Sequence, residues 1–124
     1  MDTERINTRA LGNQGEERAV AWLIQNDFQI ISRNFRKRGF EIDIVAIDGD
    51  EVLRFIEVKS VVDGNIMDAA YSVEKRNMLR YFNAVEAFLM EKPKYRDYKM
   101  CMDVLVVTVD EIKRYENVTG GVVL

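Results

Sequence analysis

Residues 40–60, FEIDIVAIDGDEVLRFIEVKS, constrain the fold more than any other stretch of the chain. Two largely apolar runs flank Asp48-Gly49-Asp50, and this pattern predicts a β-hairpin with the Asp-Gly-Asp segment as its turn. Charged side chains nevertheless stand where a hairpin that packs in a core should be apolar. The charges that need an explanation are Glu41, Asp43, Glu57 and Lys59.

Alternation along each predicted strand assigns these charges to faces of the hairpin. The odd-numbered residues of 41–47 share one face and the even-numbered residues of 42–46 share the other, while the odd-numbered residues of 53–59 fall together on the return strand. The two odd-numbered sets lie opposite each other, on one face, only if the numbers of paired residues sum to an even total. Asp43 therefore faces Glu57 if the hairpin loop has an odd number of residues, or if a bulge restores the phase. In that case the four charges lie together at the open end.

Two carboxylates and an ammonium group at one end of a sheet can serve phosphodiester chemistry. The oxygens of Asp43 and Glu57 suit Mg²⁺ or Mn²⁺, which prefer oxygen ligands. Such an ion lowers the pKa of a bound water and stabilises charge on the phosphate, while Lys59 could orient the attacking water or neutralise the phosphate. The alternative is structural, because strand ends often carry Glu and Lys to prevent edge pairing, and E-x-K alone does not separate the two.

The rest of the chain predicts a mixed sheet flanked by helices. Helical spacing of apolar residues alternates with short β-branched runs, and the lone proline, Pro93, follows the second helix as a stop signal. The resulting fold class is α/β, with core order αβββαβ and the last long strand central. The predicted elements beside the hairpin are a helix over 15–26, a strand over 28–32, a helix over 68–90, a strand over 102–109 and a short strand over 112–118.

Length and composition place the chain among globular proteins with a single domain, residues 1–124. Apolar residues make up 48% and charged residues 31%, which excludes a disordered or collagen-like chain. No window approaches the roughly 18 apolar residues of a membrane helix, and the first ten residues lack the apolar core of a signal peptide, so we expect a cytoplasmic protein that does not bind membranes. The absence of histidine excludes a usual zinc site, and the one cysteine, Cys101, is expected to be a buried strand residue.

Positive charge is concentrated in short runs, although the formal net charge is −3. The run R-N-F-R-K-R at 33–38 contains no acid, and further basic residues lie at 75–80 and 92–99. Each run by itself is explained as well by a solvated face. A basic run near a carboxylate cluster, however, favours contacts to nucleic acid.

Taken together, these motifs resemble a known family. An acid in the first turn of a helix, an aspartate on a strand and E-x-K fourteen residues later are similar to the PD-(D/E)xK nuclease superfamily, which has the restriction-endonuclease-like fold. More narrowly, nearly the full chain resembles the YraN-like family of small, largely uncharacterised bacterial proteins. The matching segments are G-N-Q-G-E-E-R-A, R-N-F-R-K-R, E-I-D-I-V-A, F-I-E-V-K, Lys75 with Leu79, and M-D-V-L-V-V.

The resemblance implies a catalytic centre. Asp43, Glu57 and Lys59 match the catalytic trio of the superfamily, and Glu16 matches a helix glutamate that contributes to the metal site of the archaeal Holliday-junction resolvases. The implied metal ligands are Glu16, Asp43 and Glu57, with Mg²⁺ or Mn²⁺ as the ion.

The resemblance also implies how the protein would contact DNA. Arg36 and Arg38 match basic family positions beside the site and suit phosphate contacts, and Lys75 could add one from the second helix, although a surface lysine explains it as well. Asp103 matches a family aspartate on the central strand, where a structural role is as consistent as a catalytic one. Glu41 matches no member of the trio and is expected to support it.

The implied function is metal-dependent hydrolysis of DNA phosphodiesters, at branched or junction DNA by analogy with the resolvases, and a homodimer by the same analogy. Two positions depart from the family pattern. Phe40 stands where glycine is usual, with Gly39 one place earlier, and Val61 replaces a common basic residue. The second departure and the pI of about 5.1 favour the alternative, a non-catalytic module that keeps the nuclease fold and binds nucleic acid or a protein.

Overall fold

A computed structural model describes residues 3–37, 39–61 and 78–116, with side chains from Gln14 in the first helix and from Tyr81 in the last. Arg38, Lys75 and the first ten residues of the helix predicted over 68–90 lie outside the described residues. The described elements are α1 Thr3–Gln25, β1 Gln29–Lys37, β2 Phe40–Ile47, β3 Leu53–Ser60, α2 Met78–Glu91, a 3₁₀ turn Pro93–Tyr95, β4 Met100–Val107 and β5 Ile112–Tyr115.

The strands form one mixed sheet in the order β1-β2-β3-β4-β5. Neighbouring strands are antiparallel except β3 and β4, which are parallel. This arrangement confirms the predicted α/β class and the order αβββαβ, with β5 added at the edge. The last long strand, β4, is interior as expected, although the middle position belongs to β3. Neither helix in the described ranges is long and apolar enough to cross a membrane.

Helix α1 covers one face of the sheet, here called the α1 face. Its buried side contains Ala19 and Leu23, four residues apart on one stripe of the helix. The helix ends where Asp27 adopts a positive φ of 66° and the N–H of Phe28 donates to the carbonyl of Leu23 at 3.0 Å, a left-handed helix ending. The helix begins at Thr3, twelve residues before the predicted start. The prediction missed residues 3–14 because they carry little apolar periodicity. The buried cluster on this face is Ala19, Leu23, Phe28, Ile44, Ala46, Ile56, Leu105 and Val107.

Helix α2 covers the opposite face, here called the α2 face. Its buried residues recur at helical spacing, and the Phe88 ring makes edge contacts with Phe35 and Phe55 at centroid distances of 5.4 and 5.8 Å. The helix ends at Glu91, two residues before Pro93, as the sequence predicts. The buried cluster on this face is Ile42, Val45, Leu53, Phe55, Tyr81, Ala84, Val85, Phe88, Leu89, Tyr95, Met102, Val104 and Val106.

Two strand predictions needed correction. β1 extends to Lys37, five residues beyond the predicted end, because the basic stretch pairs with β2, for example Arg36 opposite Glu41. β4 covers residues 100–107 rather than 102–109, and Cys101 within it is half-buried rather than buried. In both strands, pairing with a neighbour decided the boundary, and local hydrophobicity did not.

Candidate functional site

The loop of the β2–β3 hairpin has an odd number of residues. The last ladder pair is Ile47 opposite Leu53, which leaves the five residues 48–52 in the loop. The ladder runs back to Ile44 opposite Ile56 with a constant sum of residue numbers, and this is its last pair. Continued one step beyond that pair, the same register brings Asp43 opposite Glu57. The loop length therefore meets the odd-number condition that the sequence set.

The side chain of Asp48 builds this loop. Its Oδ1 accepts hydrogen bonds from the backbone N–H groups of Asp50 and Val52, at 2.9 and 3.0 Å. Glu51 adopts a positive φ of 62°, and the N–H of Asp48 donates to the carbonyl of Val52 at 3.0 Å. An aspartate at the first loop position thus closes a loop longer than a two-residue turn.

The regular β2–β3 ladder ends just before Asp43. Beyond that point, Asp43 Oδ2 accepts a hydrogen bond from the N–H of Val58 at 2.8 Å, so a carboxylate takes the place of a strand carbonyl. On the other side of β2, Asn34 has a positive φ of 54° and forms no ladder pair with Asp43. Asp43 therefore occupies an irregular position where both neighbouring ladders are interrupted.

This irregularity overturns part of the predicted face assignment. Ile42 packs in the cluster on the α2 face, whereas Ile44 packs on the α1 face, so the two do not share a side as strict alternation required. The change of side occurs at Asp43. Nearer the turn, the prediction holds, because the odd-numbered residues 45 and 53–55 all pack on the α2 face. Continued alternation along β3 places Glu57 and Lys59 on the α2 face as well.

Burial and neighbouring negative charges raise the pKa of Asp43. The pKa of Asp43 is raised to about 6, with burial as the largest cause. The hydrogen bond from Val58 opposes this rise, and the negative charges of Glu57, Glu41 and Glu16 contribute to it, in that order. Both of the other carboxylates that the sequence assigned to a metal site, Glu16 and Glu57, therefore act on Asp43 in the folded chain.

Helix α1 brings Glu16 to this end of the sheet through a close approach at Gly15. A Cβ on Gly15 would stand 2.0 Å from Ser60 Oγ, at the carboxyl end of β3, so only glycine fits without a movement of Ser60. The guanidinium of Arg18 donates to the carbonyl of Thr108 and fixes the helix to the end of β4. Glu16 follows directly, and its Oε1 is buried without a hydrogen-bond partner.

The carboxylates of Glu16, Asp43 and Glu57 are suitable ligands for a hard cation, but they are not arranged around a common point. An unpartnered buried carboxylate oxygen, together with like charges that raise the pKa of Asp43, favours a cation at this position. In the part of the chain that is described, no three acidic, histidine or cysteine side chains stand close enough to hold an ion together. Glu16 approaches from the α1 face and Glu57 from the α2 face, so binding requires at least one side chain to rotate.

The basic residues of β1 are paired with acids. Arg33 Nη2 lies 2.6 Å from Glu17 Oε1, and Lys37 Nζ lies 2.8 Å from Glu91 Oε2. Arg36 Nη2 lies 3.3 Å from Glu41 Oε1, which is the one ion pair of Glu41 among the described side chains. Lys59 is half-buried and makes no ion pair within the described ranges.

Asp103 lies apart from this site, and its contacts are those of a structural residue. It is fully buried on β4, opposite Ile56, and accepts hydrogen bonds from Arg54 at 3.1 Å and from Arg114 at 3.2 Å. Arg54 also reaches Asp48 of the hairpin loop at 3.0 Å. The sequence analysis did not identify the two arginines, and the signal for them is the single charge inside the apolar run M-D-V-L-V-V, since a buried charge needs partners.

A model of the family described as "Uncharacterised protein family UPF0102" matches residues 15–107. A UPF0102 protein of Fusobacterium nucleatum is 31% identical over 116 residues, which cover 94% of this chain and 96% of that protein. A UPF0102 protein of Sulfurimonas denitrificans is 34% identical over 112 residues, covering 90% and 98% of the two chains. One from Campylobacter concisus is 33% identical over 108 residues, covering 87% and 92%. The chain therefore belongs to the uncharacterised protein family UPF0102, the YraN family that its motifs resemble.

Proposed function

We propose that this protein is a metal-dependent endonuclease that hydrolyses DNA phosphodiesters with Mg²⁺ or Mn²⁺. The observation that carries the proposal is the position of Asp43, which directly precedes the last β2–β3 ladder pair at the open end of the hairpin and accepts a hydrogen bond from the backbone N–H of Val58, the residue after Glu57. A carboxylate held in this way at an interrupted ladder has a fixed direction before any ligand binds, and pre-organised donors are what metal-assisted catalysis requires.

The three acidic residues have distinct parts in this proposal. Asp43 and Glu57 supply carboxylate oxygens at the open end of the hairpin, and Glu16 adds its unpartnered Oε1 from α1. The bound cation supplies Lewis-acid stabilisation of the phosphate and a lowered pKa for water. Asp43 must lose its proton before it can act as a ligand, and its pKa of about 6 permits this at neutral pH.

Lys59 is the cationic group of the proposed site. It follows Glu57 by two residues on β3, so its ammonium group extends from the same face and remains without an ion pair among the described residues. An ammonium group there can donate to the attacking water or to a phosphate oxygen. The half-buried position shortens its reach to solvent and favours a role at the reaction centre.

DNA contacts by Arg36 are compatible with its ion pair. The side chain of Arg36 is 71% exposed and that of Glu41 is 47% exposed, and an exposed pair of this kind contributes only about 0–1 kcal/mol. A phosphate can therefore replace Glu41 at little cost. Arg38 and Lys75 remain part of the proposed DNA surface, and branched DNA with a homodimer of two sites remains the proposed substrate and assembly.

A second candidate is a non-catalytic module that binds nucleic acid or a protein. The paired state of the basic β1 residues favours it, because Arg33, Arg36 and Lys37 already neutralise acids from α1, β2 and α2. Such pairing lowers the net positive field that would attract a nucleic acid. The two candidates differ in whether the site binds a divalent ion and uses it to hydrolyse DNA.

Cation titration and cleavage assays test the proposal. Mn²⁺ is titrated calorimetrically into the wild type, into Asp43→Asn and into Asp110→Asn, an exposed matched control. Cleavage of linear, single-stranded and four-way-junction DNA is measured for the same proteins and for Lys59→Ala, with exposed Lys113→Ala as its control. We expect Asp43→Asn to lose Mn²⁺ binding, and both site variants to lose cleavage while both controls keep it.

The outcomes separate the two candidates. Wild-type protein that binds no Mn²⁺ excludes the metal-dependent enzyme. DNA binding without cleavage in the presence of bound Mn²⁺ supports the non-catalytic module, whereas cleavage that survives both Asp43→Asn and Lys59→Ala assigns the activity to a different site or a contaminant. Sedimentation of the protein with and without junction DNA measures whether two copies assemble on it.

A further inference from the structure

Two side-chain polar atoms in the described part of the chain are buried without a hydrogen-bond partner. One is Glu16 Oε1, already assigned to the proposed metal site, and the other is the hydroxyl of Tyr81. Tyr81 is only 9% exposed, so bulk water does not readily serve its hydroxyl group. Because buried donors are nearly always paired, this hydroxyl requires a specific explanation.

Topology places Tyr81 beside the proposed site. Helix α2 leads from parallel strand β3 to β4, and its carboxyl end lies near the start of β3, where Phe88 meets Phe55. Tyr81 precedes Phe88 by two helical turns, so it lies farther along β3, toward its carboxyl end. It packs in the same cluster as Phe55, and Glu57 is the next residue of β3 on that face.

The charges that act on Tyr81 agree with its placement beside the proposed site. Burial raises the pKa of the Tyr81 phenol well above its ordinary value, and the negative charges of Glu57, Asp43 and Asp103 raise it further, in that order. The phenol is therefore protonated at every working pH and acts as a hydrogen-bond donor. The largest effect of a charged group on its pKa comes from the Glu57 carboxylate, which is an acceptor.

We propose that Tyr81 is a positioning residue whose hydroxyl orients the Glu57 carboxylate by a hydrogen bond, made directly or through one water, when a cation occupies the site. The proposal rests on the metal-dependent function proposed above. A carboxylate has about four lone-pair directions, so a bond from Tyr81 adds to the other contacts of Glu57 and replaces none of them. Hydrogen bonds to ligating carboxylates set their orientation and strengthen metal binding.

The two unpartnered atoms then have a common cause. Glu16 reaches the site from the α1 face and Tyr81 from the α2 face, while Asp43 lies between them at the interrupted ladder. Both atoms gain a partner in the same event, the binding of a cation. The unpaired state of each is the cost of a site held ready for an ion.

The test compares Tyr81→Phe, which removes only the hydroxyl, with Tyr98→Phe, a half-buried tyrosine of the same chain as matched control. Mn²⁺ affinity is measured by calorimetry, and thermal unfolding is measured without metal. The ¹³C signal of the Glu57 carboxyl carbon is recorded in metal-free protein and again with Mg²⁺. We expect Tyr81→Phe to bind Mn²⁺ roughly tenfold more weakly, without loss of thermal stability, and to shift the Glu57 signal of the Mg²⁺ form.

Each result has one meaning. Mn²⁺ affinity in Tyr81→Phe equal to that of the wild type, with an unchanged Glu57 signal, overturns the role of Tyr81 and leaves the proposed function standing. An equal loss in Tyr98→Phe also overturns it, because the effect would then not be specific to this hydroxyl. If the wild type binds no divalent ion, the proposed function fails and the role of Tyr81 fails with it, a result seen in the wild type alone.

Discussion

The carboxylate of Asp43 accepts a hydrogen bond from the backbone N–H of Val58, with 2.8 Å between Oδ2 and N. This contact begins where the β2–β3 ladder ends, so it holds the two strands together in place of a ladder bond. It also keeps one carboxylate oxygen at a defined position beside β3, at the residue that follows Glu57. The same side chain thus closes the sheet and carries the proposed chemistry.

Asp43→Asn should make the protein more stable at neutral pH. An amide has no charge to bury, and its carbonyl oxygen can still accept the bond from Val58. A pKa raised from 3.8 to about 6 corresponds to an upper limit of roughly 3 kcal/mol, which solvent screening reduces to about 1–2 kcal/mol. Urea unfolding of wild type and variant at about pH 7 measures the gain. A variant less stable than the wild type would mean that the charged form of Asp43 is favoured by the fold.

The stability of the wild type should fall as the pH rises through about 6. The pKa of Asp43 is higher in the folded chain than in the unfolded chain, so the folded state binds an extra proton between about pH 4 and 6. The stability contributed by the neutral carboxyl group is complete below this window and is lost above it. Subtracting the profile of Asp43→Asn isolates this contribution from other acids, and a flat difference profile would exclude it.

Mn²⁺ binding should weaken below about pH 6. A proton and the cation compete for the Asp43 carboxylate, so the affinity falls roughly tenfold per pH unit once the carboxyl group is protonated. Calorimetry in buffers with different ionisation heats should detect a released proton near pH 5 and little release near pH 8. Affinity independent of pH across this range would show that Asp43 is not a ligand.

The contact between Gly15 and Ser60 should appear as a coupling between two substitutions. Alanine at 15 favours the helix by about 1 kcal/mol, but its Cβ would meet the Ser60 hydroxyl at 2.0 Å. We therefore expect Gly15→Ala to be more stabilising in the Ser60→Ala background than in the wild type, by about 1 kcal/mol. A double-mutant cycle of unfolding free energies measures this coupling, and additive effects would contradict the close approach.

Asp103→Asn should destabilise the protein without a direct effect on the site. The variant leaves Arg54 and Arg114, whose side chains are 11% and 21% exposed, without their buried anion. Removing one partner of a buried pair costs at most about 3–5 kcal/mol. The loss here is smaller, because Arg54 keeps its contact with Asp48 and both arginines keep Glu116. Unfolding measurements should show this loss, with Asp110→Asn as the exposed control, while the fraction that stays folded binds Mn²⁺ as the wild type does. Weaker Mn²⁺ binding with unchanged stability would instead place Asp103 in the site.

The sequence predicted the order of the elements better than their boundaries. Alternation in 40–60 identified Asp43, Glu57 and Lys59 as candidates, and the odd-loop condition stated what the fold had to provide. The extension of β1 through its basic residues was not predictable, because partners on β2 stabilise charges that would not form a strand alone. Tyr81 was missed since nothing local distinguishes it from other apolar residues of its helix.

The sequence by itself determined the hairpin, the two helices that flank the sheet and the presence of charged residues on a strand pair. These features depend on local periodicity and turn chemistry, which each segment carries within itself. Only the tertiary structure decided the bond from Val58 to Asp43, the approach of Glu16 through Gly15 and the position of the Tyr81 hydroxyl. These depend on how closely distant segments pack, and burial between them, rather than residue type, raises the pKa of Asp43.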